Sequence, residues 1–353
     1  MAVVRIDGSY GEGGGQVLRT SLALSAITGR PVTIERIRAG RPRPGLAAQH
    51  LAAVRAAAEV SGARVEGARK GSTALSFEPA GVRPGRYRLD IGTAGAATLV
   101  LQTVVLPLAL APGSSDVRVT GGTHVPWSPP YHYLELQWAP VLRELGVHLD
   151  LALEAAGFYP RGGGRVRALV TPARAPLRPL RRVDRGALVR IEGLAGSARL
   201  PGHVTERMAR AAREGLGGLG CPVEVGRVRL DAPSPGAFLV LRATCEGATL
   251  TVSALGERGK PAEQVAAEAV SELHRVLGTG ACTDPHLADQ ILLPLALARG
   301  ESELTTARVT RHLTTNAWVI RQFLPDALIE VEGEEGGPGR VRVGGAGLLP
   351  RAP

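Results

Sequence analysis

The hexapeptide Leu106-Pro-Leu-Ala-Leu-Ala111 occurs a second time, letter for letter, as Leu293-Pro-Leu-Ala-Leu-Ala298. Each copy closes an apolar, helix-like segment and is followed by a polar turn containing glycine. Each then leads into a strand-like run, Asp116-Val-Arg-Val-Thr120 in one and Ala307-Arg-Val-Thr310 in the other. A histidine follows each, His124 and His312. Several matches in one order point to a duplicated unit. A fainter third copy starts at Gly15: apolar residues at helical spacing run to Ile27, Thr28-Gly29 stops them, and Pro31 to Ile37 reads as a strand. Helix, turn and strand thus recur near residues 15–37, 94–120 and 287–310.

Other helices are expected over Gly45 to Ser61 and Tyr131 to Leu145, and strands at Val3–Asp7, Ala74–Glu78, Arg86–Ile91 and Arg165–Val170. The gap between the second and third units is too long for the repeat. The excess opens after a Pro/Arg-rich linker, residues 171–179, and holds its own strand, helix, three strands and closing helix between Ala187 and Leu277. The expected architecture is α/β (α+β). Three repeated β-α units form a large domain over 1–183 and 280–340, an inserted α/β domain occupies 184–279, and 341–353 is a tail.

The chain has 353 residues, 44% hydrophobic and 21% charged, as a folded globular protein requires. The apolar stretch from Leu99 to Ala111 is too short to span a bilayer, and the N-terminus carries no secretion-signal pattern, so the expected location is the cytoplasm, with no membrane partner. Cys221, Cys245 and Cys282 are far apart and indicate neither a zinc site nor a disulfide framework. A net charge of +10 suits polyanionic partners. Lys70 and Lys260 are the only lysines among 42 basic residues, so a lysine nucleophile has two candidates.

Two polar constellations carry the chemistry. Near the N-terminus, Gly11, Gly13, Gly14 and Gly15 lie between a short strand and a helix, where backbone N–H groups can approach an anion. Neither a P-loop lysine nor dinucleotide spacing accompanies them. Glu12 among these glycines opposes an anion unless it holds a cation, so a divalent ion between Glu12 and a triphosphate is expected. Arg19 follows one turn later, Arg38, Arg41 and Arg43 line a Gly/Pro-rich loop, and Gln49 and His50 begin the next helix, where they can face the same site. Near the C-terminus, Asp289-Gln290 at the expected start of a helix precedes His312-Leu-Thr-Thr-Asn316 by some twenty residues.

In motif order, Asp7-Gly-x-x-x-Glu-Gly-Gly-Gly-Gln-x-x-Arg19, the segment Arg38–His50, Gly121-Gly-Thr with Ser128-Pro-Pro130, His286-Leu-Ala-Asp-Gln290 and His312-x-x-x-Asn316 resemble the RNA 3′-terminal phosphate cyclase family over residues 3 to about 325. The resemblance implies three β-α units with an inserted α/β domain. It also implies ATP-dependent conversion of an RNA 3′-phosphate into a 2′,3′-cyclic phosphate through AMP carried on His312. Mg²⁺ or Mn²⁺ is implied at Glu12, phosphate contacts at Arg19, Arg38 and Arg41, and adenosine contacts at Gln102, Pro130, His286, Asp289 and Gln290. Asn316 is expected to orient a loop bearing His312, and His124 to be structural. RNA 3′-phosphate ends are the expected partner, with DNA ends and oligomeric state left open.

Three other functions compete with this one. A non-catalytic RNA-binding or ribosome-assembly relative would be expected to lack the histidine. A lysine nucleotidyl transferase needs Lys-x-Asp-Gly, absent at Lys70 and Lys260. An enolpyruvyl transferase shares only repeat architecture.

Overall fold

In a computed structural model, which describes residues 2–350, three units repeat one order of elements. The first is β1 (Val4–Asp7), α1 (Gly15–Thr28), β2 (Val32–Glu35), α2 (Ala48–Ser61), β3 (Arg64–Glu66) and β4 (Leu75–Glu78). The second is β5 (Arg86–Asp90), α3 (Ala97–Ala109), β6 (Ser115–Gly121), α4 (Tyr131–Tyr133) running through a π-helical segment (Leu134–Trp138) into α5 (Ala139–Leu145), β7 (His148–Ala155) and β8 (Gly164–Thr171). The third begins with β9 (Arg181–Arg182). It is then interrupted by β10 (Leu188–Ala198), α6 (His203–Leu216), β11 (Val223–Arg229), β12 (Gly236–Cys245), β13 (Thr249–Leu255) and α7 (Ala262–Gly278). It resumes with α8 (Pro285–Leu297), β14 (Arg299–Thr306), α9 (Arg311–Phe323), β15 (Leu328–Glu332) and β16 (Gly339–Ala346).

The three unit sheets share one strand order, β1-β2-β4-β3, β5-β6-β8-β7 and β9-β14-β16-β15. In each, the first pair is parallel and the rest antiparallel. A parallel pair needs a crossover connection, and α1, α3 and α8 supply it. These helices are apolar nearly all round, so they must be covered on every side. One core cluster joins them, including Leu22, Leu101, Leu292 and Ile320, all 0% exposed. Burying one such leucine stabilises by about 1.5–3 kcal/mol.

The interrupting elements form a separate four-stranded sheet, β11-β10-β12-β13. α6 and α7 cover one face over a core of its own that includes Met208, Leu241 and Leu273. Its other face packs Phe238 and Val240 against Ala156 and Phe158 of the second unit. Both faces are therefore covered, which is why β12 is an unbroken buried run from Ala237 to Leu241. The chain leaves the third unit at β9 and returns at Thr283. β9 pairs with Glu303 and Leu304 of β14, and Thr283 bridges to Thr306. Exit and return are thus neighbours on one strand, which lets the third sheet close around the interruption.

Three sequence expectations need correction. The strand expected at Ala307–Thr310 lies earlier, at Arg299–Thr306: Ser302, Leu304 and Thr306 point inward and Glu303 and Thr305 outward, an alternation carried by polar residues. Asp289 and Gln290 do not start a helix. α8 begins at Pro285, and its cap is Asp284, whose carboxylate accepts from the N–H groups of His286 and Leu287. Residues 341–346 are not a tail but most of β16, which pairs with both β14 and β15 and buries Val341 and Val343. Residues 351–353 of that expected tail lie outside the described residues.

Candidate active site

The first and third units meet where α1 and α9 begin. Gly14 caps α1 with no side-chain hydrogen bond, so the first-turn N–H groups of that helix stay free for an anion. A Cβ on Gly14 would run into the Glu12 carboxylate, and one on Gly15 into His50 and Arg19. At these positions glycine leaves room for the Glu12, His50 and Arg19 side chains to lie against the backbone.

Glu12 is held from both sides. Its backbone N–H donates to the Thr315 hydroxyl on α9 (2.9 Å). Arg41 forms an ion pair with its Oε1 and donates to its carbonyl at 3.2 Å. His312 Nδ1 lies 3.8 Å from Oε2. That oxygen is buried and accepts no hydrogen bond. His312 sits in the first turn of α9 with its side chain 46% exposed. Burial, then the neighbouring Arg19, His286 and Arg41, push its imidazole down to about 4. It is therefore neutral and nucleophilic at pH 7.

His50 stands behind the α1 N-terminus. Burial, then Arg19 and Arg38, push it down to about 3. Its Nδ1 accepts from the Ala47 N–H (3.1 Å), so its proton is on Nε2, the atom that a Cβ on Gly15 would meet. Arg38 is held in a left-handed backbone conformation (φ 54) and donates to the Gly45 carbonyl, which aims the loop bearing Arg41 back at Glu12.

Arg19 joins this cluster to a smaller cavity that also takes in Gln16, Gln102, Asp289, Gln290 and Asn316. Gln102 donates to Gln290 at 2.8 Å. Burial brings Arg19 down to about 10, and Asp289 opposes that. Burial, then Asp284, raise Asp289 to about 8. At pH 7 its carboxyl mostly keeps a proton, so it can donate a hydrogen bond as well as accept one. Asn316 does not orient a loop. Its Nδ2 donates to the Asp289 carbonyl and its Oδ1 accepts from Thr20, which pins α9 to α8 and α1.

Among the adenosine candidates, exposed His286 lines a separate cleft of about 510 Å³ between the inserted domain and the second and third units. Lys260, Trp127 and Arg308 share this cleft. Buried Pro130 caps α4 and lines neither cavity. His124 is buried beside His132 (2.9 Å) and stacks on Phe238 and Phe158. It precedes α4 rather than beginning a helix, so it is not the positional counterpart of His312. Sequence reasoning missed Thr315, Tyr133, whose hydroxyl donates to the Asp284 carboxylate (2.8 Å), and the capping role of Asp284. Only the last had a signal, the Asp-Pro pair at 284–285.

A family model for RNA 3′-terminal phosphate cyclase matches residues 10–328, which include Glu12, Arg41 and His312. The chain belongs to the RNA 3′-terminal phosphate cyclase family. Relatives named RNA 3′-terminal phosphate cyclase include one from Methylococcus capsulatus, 49% identical over 98% of this chain and 97% of its own. Another, from Pyrobaculum neutrophilum, is 47% identical over 95% and 96%. A third, from Methanopyrus kandleri, is 47% identical over 97% and 99%. As members of the cyclase family at nearly full length, these relatives cover the inserted domain as well as the three units.

Proposed function

We propose that this cyclase-family enzyme uses ATP to convert an RNA 3′-phosphate into a 2′,3′-cyclic phosphate, with His312 as the transient carrier of AMP. The contact of His312 with Glu12, flanked by Arg41, carries this reading. Two ends of the chain combine a neutral imidazole, a free helix N-terminus and several guanidiniums in one place.

Nδ1 of His312 faces Glu12, which leaves Nε2 to attack the α-phosphorus of ATP. An N–P bond forms, the P–O bond to pyrophosphate breaks, and pyrophosphate leaves. A 3′-phosphate oxygen of the RNA then takes the adenylyl group, breaking the N–P bond and giving an anhydride. The adjacent 2′-OH attacks the 3′-phosphorus, loses its proton and expels AMP. Nucleophile and phosphorus share one ribose, so closure needs little further ordering. Arg19, Arg38, Arg41 and the Nε2–H of His50 face the negative charge that grows on phosphate oxygens in these steps. Gln102, Pro130, His286, Asp289 and Gln290 are proposed to contact the adenosine.

Among the described residues no group of three or more His, Cys, Asp or Glu could hold a metal. The buried Oε2 of Glu12, which accepts no hydrogen bond, would hold a divalent cation. Mg²⁺ or Mn²⁺ bound there would neutralise phosphate charge.

Incubation with ATP labelled at the α-phosphate and a divalent cation, followed by denaturation, tests the carrier. The wild-type protein should keep an acid-labile, alkali-stable label, and His312→Ala none. An unlabelled wild-type protein that still binds RNA would instead support a non-catalytic RNA-binding role.

A further inference from the structure

Because the three units share one sheet topology, their solvent faces can be compared row by row. In the third unit the cross-strand row Arg181, Glu303, Arg342, Glu330 alternates in sign. Glu303 there pairs with Arg181, Arg340 and Arg342. In the second unit the row is Arg88, Arg118, Arg167, Ala152, with three arginines abreast on neighbouring strands. Arg86 lies opposite Asp116 one row away, and Arg165 opposite Thr120 on the other side.

Four carboxylates lie on this face, Asp90, Asp116, Asp150 and Glu154, against five arginines at 86, 88, 118, 165 and 167, with Asp90 and Asp150 at its edges on β5 and β7. Asp116 is taken bidentately by Arg167 at 2.9 Å, and Glu154 is shared by Arg118 (3.0 Å) and Arg165 (3.8 Å). Arg86 and Arg88 are exposed and enter none of the ion pairs found among the described residues. The alternate residues Tyr87, Leu89, Val117, Val119, Val166 and Ala168 fill the core, so these arginines all project outward. Arg86, Arg88, Arg118 and Arg167, with Asp116, line a shallow hollow of about 230 Å³.

Like charges directly opposite one another on a sheet are destabilising. A chain rich in arginine everywhere does not explain the row, because the third unit neutralises its arginines on the same topology. We propose that this outer face binds the phosphodiester backbone of single-stranded RNA upstream of the 3′ end. Neighbouring strands lie about 4.8 Å apart, so the row spans ~10 Å of extended polyanion. Guanidinium forks match phosphate oxygens, and no aromatic ring is exposed among the arginines to read bases, so the surface is indifferent to sequence. The chain links this face to the candidate active site. β5 runs directly into the loop whose Ala96 N–H donates to Gln49, the neighbour of His50. The assignment rests on the proposed RNA-end activity.

Arg86→Gln/Arg88→Gln tests it, with Arg88→Glu as a second variant; both sites are exposed, and self-adenylation and thermal melting monitor the fold. A ten-nucleotide RNA 3′-phosphate should bind the double variant at least fivefold more weakly than wild type by fluorescence anisotropy. Its log Kd against log salt slope should fall by roughly 1.4, about 0.7 for each phosphate left without its guanidinium. A dinucleotide 3′-phosphate and self-adenylation should be unaffected. Unchanged affinity and slope for the decamer would overturn the assignment, as would an equal weakening with the dinucleotide. A polyglutamate peptide that competes as well as the decamer would also overturn it, in favour of an acidic protein partner. The anisotropy arm needs no catalysis, so absence of self-adenylation in the wild type would refute the proposed chemistry while leaving the surface judged separately.

Discussion

The Thr315 hydroxyl accepts the Glu12 backbone N–H at 2.9 Å, joining residues 303 positions apart. Gly11 lies against the same side chain. The glycine loop is therefore docked onto the helix that carries His312, and the two constellations are positioned by one contact.

Thr315→Val keeps the shape and removes the acceptor. The Glu12 N–H is then left partly buried without a partner, which costs about 1–3 kcal/mol. Melting should show that destabilisation, and the rate of self-adenylation should fall more than ATP affinity does. An unchanged adenylation rate would show that the loop keeps its place without this hydrogen bond.

Three buried histidines set a low-pH limit on stability. Burial lowers His50 to about 3 and His132 to about 4, and holds His124 well below its ordinary 6.5. Between pH 6.5 and 4 the unfolded chain binds these protons and the folded chain does not. Stability should therefore fall as pH falls through that window, by about 1.4 kcal/mol per pH unit for each histidine. Urea melts at pH 7, 6 and 5 measure this. Equal midpoints would contradict it.

Asp289 behaves in the opposite sense. Its carboxyl is raised from 3.8 to about 8, so the folded chain holds a proton that the unfolded chain releases, and its contribution to stability is lost as pH rises from 3.8 to 8. Asp289→Asn escapes this loss. Its melting temperature should gain on wild type between pH 5 and pH 8.5. A gap that stays constant would mean that Asp289 is already ionised at pH 5.

Phe238 is 0% exposed and stacks on both His124 and His132, across the contact of the inserted domain with the second unit. Phe238→Ala should cost about 3–5 kcal/mol. Limited proteolysis should then cut the connection 183–187 or the 124–130 loop sooner than in wild type. Unaltered cleavage would show that the domains are held together elsewhere.

The repeat was legible because an apolar helix buried on all sides tolerates few alternatives, so Leu-Pro-Leu-Ala-Leu-Ala survives in two units. β14 was misplaced because two of its three inward residues, Ser302 and Thr306, carry hydroxyls that read as turn chemistry; Thr306 donates to the nearby Arg308 carbonyl, whereas Ser302 accepts from the distant Leu180 N–H. β16 was missed for a related reason: Gly339, Gly344 and Gly345 look like a loose end, yet a Cβ on Gly345 would meet the Ala298 carbonyl, so the strand needs glycine to pass there.

By itself the sequence determined which groups are present: a histidine followed by Leu-Thr-Thr-Asn, a carboxylate among glycines, arginines in a stiff loop, and the period that makes most of the elements. Composition and local pattern determine these because they depend on nearest neighbours. Only the tertiary structure decided that Glu12 faces His312, that Asp289 lies mid-helix in a buried cavity, and that three arginines stand abreast on β5, β6 and β8. Those facts depend on strand register and on which helices meet. Register and helix contacts are fixed by packing between residues far apart in the chain, and so are the shifted proton affinities that follow from burial.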